Sequence, residues 1–223
     1  RGGRRVRAHE YVLAFAATCG VVAGLAFAAP AHGAQWEPAS ARDQRTAVEV
    51  AGWLRRQGFP IKPDPVWVTD SIPNDWYPGE GRVEAAATSR GPLLIRDVTV
   101  GPDARWTVSM VLIHEYLHSL RDPAGYARLS YGERAVEEGV VTAVTEDLAP
   151  RFWCAVWREC GPNGVMVFGE SSGLYARWAA MVRGVSGRAV GARWSSRAAR
   201  LWRYRLVRAG RAERAAMWTG VTG

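Results

Sequence analysis

Val111-Leu112-Ile113-His114-Glu115-Tyr116-Leu117-His118-Ser119-Leu120 decides how the rest of the chain is read. It carries H-E-x-x-H inside an apolar run. On a helix of 3.6 residues per turn, His114 and His118 lie one turn apart, about 40° around the axis, so their imidazoles share a face. Two imidazoles on one face can grip one metal ion. Glu115 projects beside them, placed to handle the proton of a metal-activated water. Leu112, Ile113, Leu117 and Leu120 have the character of core, so the helix is expected to be packed, with its histidines facing a cleft. The bland alternative is a buried helix whose histidines are satisfied by carbonyls. Three ionisable residues in five, however, rarely sit in a core without a partner.

Four histidines occur in the chain. His9 and His32 lie in an N-terminal stretch that reads as an export segment, so a mature domain owns only His114 and His118. The metzincin pattern would need His at position 124 and Gly at 121, where this chain has Ala124 and Arg121. The third ligand must then be a carboxylate or a thiolate. Glu137 and Glu138 follow His118 by 19 and 20 residues, on what reads as the next helix.

In this arrangement the chain resembles the gluzincin zinc peptidases, where H-E-x-x-H is followed by a glutamate from a second helix at about this distance. The resemblance covers Leu93 to Leu148. It implies a zincin-like fold, a bound Zn2+, and hydrolysis of a peptide or protein substrate through a metal-activated water with Glu115 as general base. The family's ligand usually stands directly before a glycine, which favours Glu138, followed here by Gly139. Glu138, Thr142 and Thr145 also form one polar stripe. Against this, Glu137 falls within the apolar stripe of Val136, Val140, Val141 and Val144, where a buried carboxylate would need a partner such as a metal. Glu138 is the preferred ligand. The glutamate left over would pair with a cation or orient a histidine N–H. Family members add a His or Tyr donor to the oxyanion. With no spare histidine in a mature domain, a tyrosine or an arginine would have to act; Tyr175 is the first tyrosine candidate, and Tyr131 and Tyr126 are the others. Such peptidases hold substrate by strand addition along an edge strand beside the metal helix. Leu93 to Val100 is the expected edge strand, with a plain internal strand as its alternative.

The wider chain constrains this reading. With 223 residues there is room for one domain with a real core plus an appendage. A hydrophobic content of 48% argues against disorder. The net charge of +8 is almost all arginine, Lys62 being the only lysine. Four arginines and one acid precede residue 35, leaving 25 basic and 20 acidic residues, a net of +5. That bias is too small to argue for specific nucleic-acid binding. The first residue is Arg rather than Met, so the sequence reads as a fragment or a truncated gene product.

Arg1 to Arg7 is basic, Tyr11 to Ala29 carries no charge, and small residues follow around Gly33 and Ala34. This is the layout of an export signal, cleaved near Gly33 or Ala34, or kept as a transmembrane signal-anchor. Cys19 reads as passive filling. Helices are expected over Ala39–Gly58, Gly132–Leu148 (closed by Pro150), Phe152–Glu159, Ser171–Arg183 and Ser195–Trp218. Strands are expected at Pro65–Thr69, Val83–Thr88 and Leu93–Val100. Cys154 and Cys160 read as a local disulfide in an exported protein, with free thiols and metal binding as alternatives.

From Arg183 to Arg214 there are ten arginines and one acid, Glu213. The stretch fits a basic amphipathic helix on an anionic membrane surface, or a solvated helix whose arginines pair with acids elsewhere. The expected architecture is α+β: residues 1–34 as export signal or anchor, and residues 35–223 as one zincin-like domain. That domain would hold a small mixed sheet with an edge strand beside the zinc helix, and a mostly helical C-terminal part ending in an arginine-rich helix over about 184–223. A secreted or membrane-anchored monomeric peptidase is the main reading. The rivals are a non-catalytic envelope or membrane-surface protein with a degenerate or structural metal site, and an intracellular processing peptidase.

Overall fold

The computed structural model describes residues 21–23, 36–69, 85–87, 93–96, 105–120, 129–160 and 174–222. The H-E-x-x-H stretch closes α2, Arg105–His118. Every residue of this helix from Val108 to His118 is buried. A helix apolar on most of its circumference is stable only when wrapped on all sides, and this one is. It packs on α1 (Ala41–Arg56) and α3 (Tyr131–Phe152), and it also meets strands β1 (Val21–Ala23) and β4 (Ala85–Ala87). Leu112, Ile113 and Leu117 are fully buried, each contributing roughly 1.5–3 kcal/mol.

The first helix is fixed locally before it is fixed by packing. Ser40 caps α1, its Oγ accepting from the Asp43 amide at 3.2 Å. The Gln44 amide then clips the start of β3 (Val66–Thr69), donating to Val66 O at 2.6 Å and accepting from Val66 N at 3.1 Å. Two further strands, β2 (Trp36–Pro38) and β5 (Leu93–Arg96), complete a five-stranded sheet in the order β1-β4-β5-β3-β2. The β1–β4 and β3–β5 pairs are parallel, and β4–β5 and β2–β3 are antiparallel. Fold class is thus α+β, with a mixed sheet and a helical C-terminal half.

Helix α3, which carries Glu137 and Glu138, starts with a full capping box. Ser130 Oγ accepts from Glu133 N at 3.3 Å, and Ser130 N donates to Glu133 Oε2 at 2.8 Å. Helices α4 (Leu174–Ala189), α5 (Arg197–Arg208) and α6 (Arg211–Thr222) follow, and α4 and α5 pack on α3. A second pin ties the far end of α3 to the first half of α2. Trp153 Nε1 donates to Ser109 Oγ at 2.8 Å, and the Trp106 and Trp153 rings meet edge to face at 4.7 Å. With His118 facing Glu138 at the other end, the two helices run antiparallel.

Several expectations are corrected. Leu93–Arg96 is not an edge strand: β4 pairs with it on one side (Ala86↔Leu94) and β3 on the other (Val66↔Leu93). Its backbone is thereby occupied along both flanks, and the unbroken Leu-Leu-Ile run is the signature of such a central strand. β1 and β2 are the outer strands of the described sheet, and β1 falls within the expected export segment. Pro150 does not close α3. It lies inside the helix, which continues to Phe152 and into a π-helical turn, Trp153–Trp157. The arginine-rich tail is not one helix: residues 184–189 finish α4, and α5 and α6 are separated where Ala209 turns extended before Gly210. Most of the expected export segment lies outside the described residues. Among the described residues no helix is long and apolar enough to cross a membrane.

Gly139 sets how closely α4 approaches α3. A Cβ there would lie 2.6 Å from the Trp178 carbonyl oxygen. Gly139→Ala should therefore destabilise the fold despite a helix-propensity gain of about 1 kcal/mol, because overpacking costs about 1–3 kcal/mol. The expected result is a thermal midpoint several degrees lower; an equal or higher midpoint would show that the helices can part freely.

Candidate metal centre

His114 and His118 project from the last turn of α2, and Glu138 from the second turn of α3. Three atoms converge. His118 Nε2 lies 3.1 Å from His114 Nε2 and 3.2 Å from Glu138 Oε2, and His114 Nε2 lies 3.4 Å from the same oxygen. These are the dimensions of one face of a metal coordination sphere. Bonds of about 2.0–2.1 Å at tetrahedral angles set donors about 3.3–3.4 Å apart. The three residues can hold a metal ion, and among the described residues they are the group that offers such a set.

The two candidate glutamates are separated by geometry. Adjacent residues on a helix diverge by about 100°, yet both side chains reach His118, from opposite edges of its ring. Glu138 meets Nε2 at 3.2 Å, whereas Glu137 Oε1 faces Nδ1 at 3.3 Å. Glu137 is in turn gripped by Arg214 of α6, whose Nη1 donates to Oε2 at 2.5 Å. A carboxylate behind a ligating histidine fixes the ring and its tautomer. Glu137 is thus placed to support the site and Glu138 to join it.

Glu115, the residue after His114, is fully buried, as are His114, His118 and Glu138, all at most 1% exposed. Tyr175 is half-buried in the first turn of α4, its ring centroid 5.2 Å from that of Trp178, the residue whose carbonyl crowds Gly139. Tyr131 is exposed and meets the same indole at 6.0 Å. Tyr126 lies outside the described residues. Cys154 and Cys160 form a disulfide across the π-helical turn and are not in the cluster. A surface hollow lined by Arg42, Arg45, Glu49, Arg105 and Trp157 includes none of the cluster residues. Arg214 is the contributor that the sequence hides: it stands 77 residues from Glu137, in a tail where arginine is common.

Electrostatics favour a divalent occupant. Counted at formal charge, Glu115, Glu137 and Glu138 bring three negative charges to the surroundings of His118 and Arg214 one positive. A divalent cation beside two neutral imidazoles makes that set neutral. Without a cation a proton partly substitutes. Burial is the largest influence on His118 and would lower it, but the Glu138 and Glu115 carboxylates outweigh burial and raise it. Burial likewise pushes Glu138 up, but the two histidines pull it below the usual carboxylate range. His114 is driven down by burial to about 4, so it stays neutral and ready to ligate.

No family model, curated protein or solved structure matches the chain.

Two outcomes follow from this geometry. Glu138→Ala should abolish equimolar binding at micromolar zinc, while Glu137→Ala keeps one equivalent with affinity about 10–100-fold lower; full affinity in the Glu138 variant would overturn the assignment. The metal-free protein should also be acid-labile. His114 has a folded value near 4 against an ordinary 6.5, so the unfolded chain binds the extra proton between those limits. Stability present above pH 6.5 is therefore lost as pH falls towards 4, at about 1.4 kcal/mol per pH unit for one proton. His118 acts in the other direction: its contribution is complete below pH 6.5 and is lost only as pH rises through its raised value. Urea midpoints of the metal-free protein between pH 7 and 4 test this; a flat profile would contradict it.

Proposed function

We propose that the protein is a zinc-dependent peptidase of gluzincin type, exported or membrane-anchored, that hydrolyses peptide bonds in a peptide or protein substrate. The observation carrying this reading is the convergence of His114, His118 and Glu138 within 3.1–3.4 Å, with Glu115 in the adjoining position of the same helix. Three protein donors leave a four-coordinate ion one position for solvent or substrate, the arrangement of catalytic rather than structural sites. Zinc held there supplies Lewis acidity, polarising a carbonyl and making water ionisable near neutral pH.

The remaining roles fall to the chain's own side chains. Glu115 takes the proton of the attacking water and passes it to the departing amine. His114 is neutral beforehand, His118 would give up its proton as the ion binds, and both would ligate through Nε2. Glu137 holds the His118 ring from behind. Tyr175 is the donor proposed for the oxyanion: it sits on α4, the helix whose Trp178 abuts Gly139 next to Glu138. The Cys154–Cys160 disulfide supports an oxidising, extracytoplasmic setting.

One observation favours a second reading. All four residues of the motif and ligand set are buried, as in a structural metal site of a non-catalytic protein. The readings diverge on Glu115. In a peptidase, Glu115→Gln leaves zinc content at one equivalent and lowers the cleavage rate of a mixed peptide library by at least about 100-fold. Equal cleavage by that variant, or none by the zinc-loaded wild type, would favour the structural site.

A further inference from the structure

Helix α6 is held to the ligand-bearing helix at two points. Glu133 and Glu137 stand one turn apart on α3, and Arg211 and Arg214 stand nearly one turn apart on α6. Arg211 Nη2 donates to Glu133 Oε1 at 2.8 Å on the exposed surface. Arg214 Nη1 donates to Glu137 Oε2 at 2.5 Å, with Glu137 almost wholly and Arg214 largely covered. The inner pair differs from the outer in what holds the arginine. Arg214 Nε donates to Leu206 O at 3.1 Å, and its Nη2 to Ala209 O at 2.9 Å and Val207 O at 3.4 Å. Those carbonyls belong to the C-terminal end of α5, where no further helical amide can satisfy them. The guanidinium is thus locked by α5 on one edge and presents its remaining donor to Glu137.

We propose that Arg214 is a positioning residue of the metal site: it clamps Glu137 against His118 Nδ1, so that seating of the C-terminal helices sets the affinity of the centre for its ion. The proposal rests on the metal-binding reading of His114, His118 and Glu138, and not on peptidase activity. A carboxylate that orients a ligating histidine works only if it is itself held, because a free glutamate has several rotamers and one of them faces Nδ1. The planar fork of Arg214 supplies that hold. Lysine, a point charge on a flexible stem, would supply the charge without the geometry.

The test is zinc affinity by chelator competition, with the absorption of the cobalt-substituted protein as a second readout. Arg214→Gln is expected to weaken zinc by about 10–100-fold, as is Glu137→Gln. The double variant should be no weaker than either single, because both substitutions release the same clamp. Arg214→Lys should fall between wild type and Arg214→Gln, and the cobalt bands of all these variants should shift from wild type. Arg211→Gln, which removes the exposed pair, should change affinity less than about threefold. If Arg214→Gln does not fold, the charge-neutral double variant and Arg214→Lys carry the test. Multiplicative losses in the double variant, or wild-type affinity and cobalt bands in Arg214→Lys and the double variant, would overturn the clamp. A chain that binds neither zinc nor cobalt would overturn the clamp and the metal centre together. Intact coupling in a chain that cleaves no peptide would sink only the peptidase reading.

Discussion

The antiparallel contact between α2 and α3 buries His114 and His118 against Glu137 and Glu138, and Glu115 is buried close enough to His118 for its charge to be felt there. An isolated buried carboxylate costs several kcal/mol, so three of them cannot share an apolar seam without counter-charge. Everything near the seam is arranged to meet that demand. Arg214 enters from α6, the histidines offer nitrogens rather than bulk, and the three-donor face is sized for a divalent ion. The Trp153–Ser109 hydrogen bond at the far end holds the register that lets these groups meet. A slip of one residue along either helix would rotate a ligand by about 100° and destroy the face.

The parts of this site that sequence reveals are those set by local geometry. The i, i+4 spacing of His114 and His118 makes a shared face wherever a helix forms, and the apolar residues between them call for burial. Gly139 was legible too, though only as a pattern. Its physical role is the close approach of the Trp178 backbone, which a side chain would prevent. The choice between Glu137 and Glu138 was harder for a physical reason. Both address His118, one at each ring nitrogen, so the residue pattern alone supports either. The apolar neighbours of Glu137 reflected a buried carboxylate whose partners are His118 and Arg214.

What sequence does not reveal depends on pairing across distance. Leu93 to Val100 looked like a strand and is one over Leu93–Arg96, but edge or centre depends on which neighbours arrive. Its flanks are taken by β3 and β4. Pro150 reads as a terminator because it has no amide N–H to donate. The helix nevertheless runs two residues further and relaxes into a π-helical turn, with the disulfide immediately around it. The basic tail shows the same limit. Of its ten arginines, Arg183, Arg203, Arg205, Arg211 and Arg214 are paired with Glu146, Asp147, Glu213, Glu133 and Glu137. Arg203, fully buried, also reaches Ser186 Oγ and Trp194 O. Charge that looks like a surface field in one dimension is in part paired within the chain in three, under cover at Arg183, Arg203 and Arg214 and on the surface at Arg205 and Arg211.

That redistribution bears on why the tail exists. A two-helix seam could bind a metal with its three donors alone, but the carboxylate that faces Nδ1 would then lie at the rim, solvated and mobile. Covering it requires another element, and covering it without a cation would leave Glu137 buried and uncompensated by anything outside the cluster. Arginine meets both needs, because its long stem buries while its fork satisfies several acceptors at once. The same guanidinium closes the carbonyl end of α5, so the turn between α5 and α6 and the support of His118 draw on one side chain. Substitutions that loosen that turn should therefore be felt at His118 and Glu137 and in the core alike, since Leu206 and Val207 of α5 and Met217 and Trp218 of α6 pack into the same apolar cluster as α2 and α3.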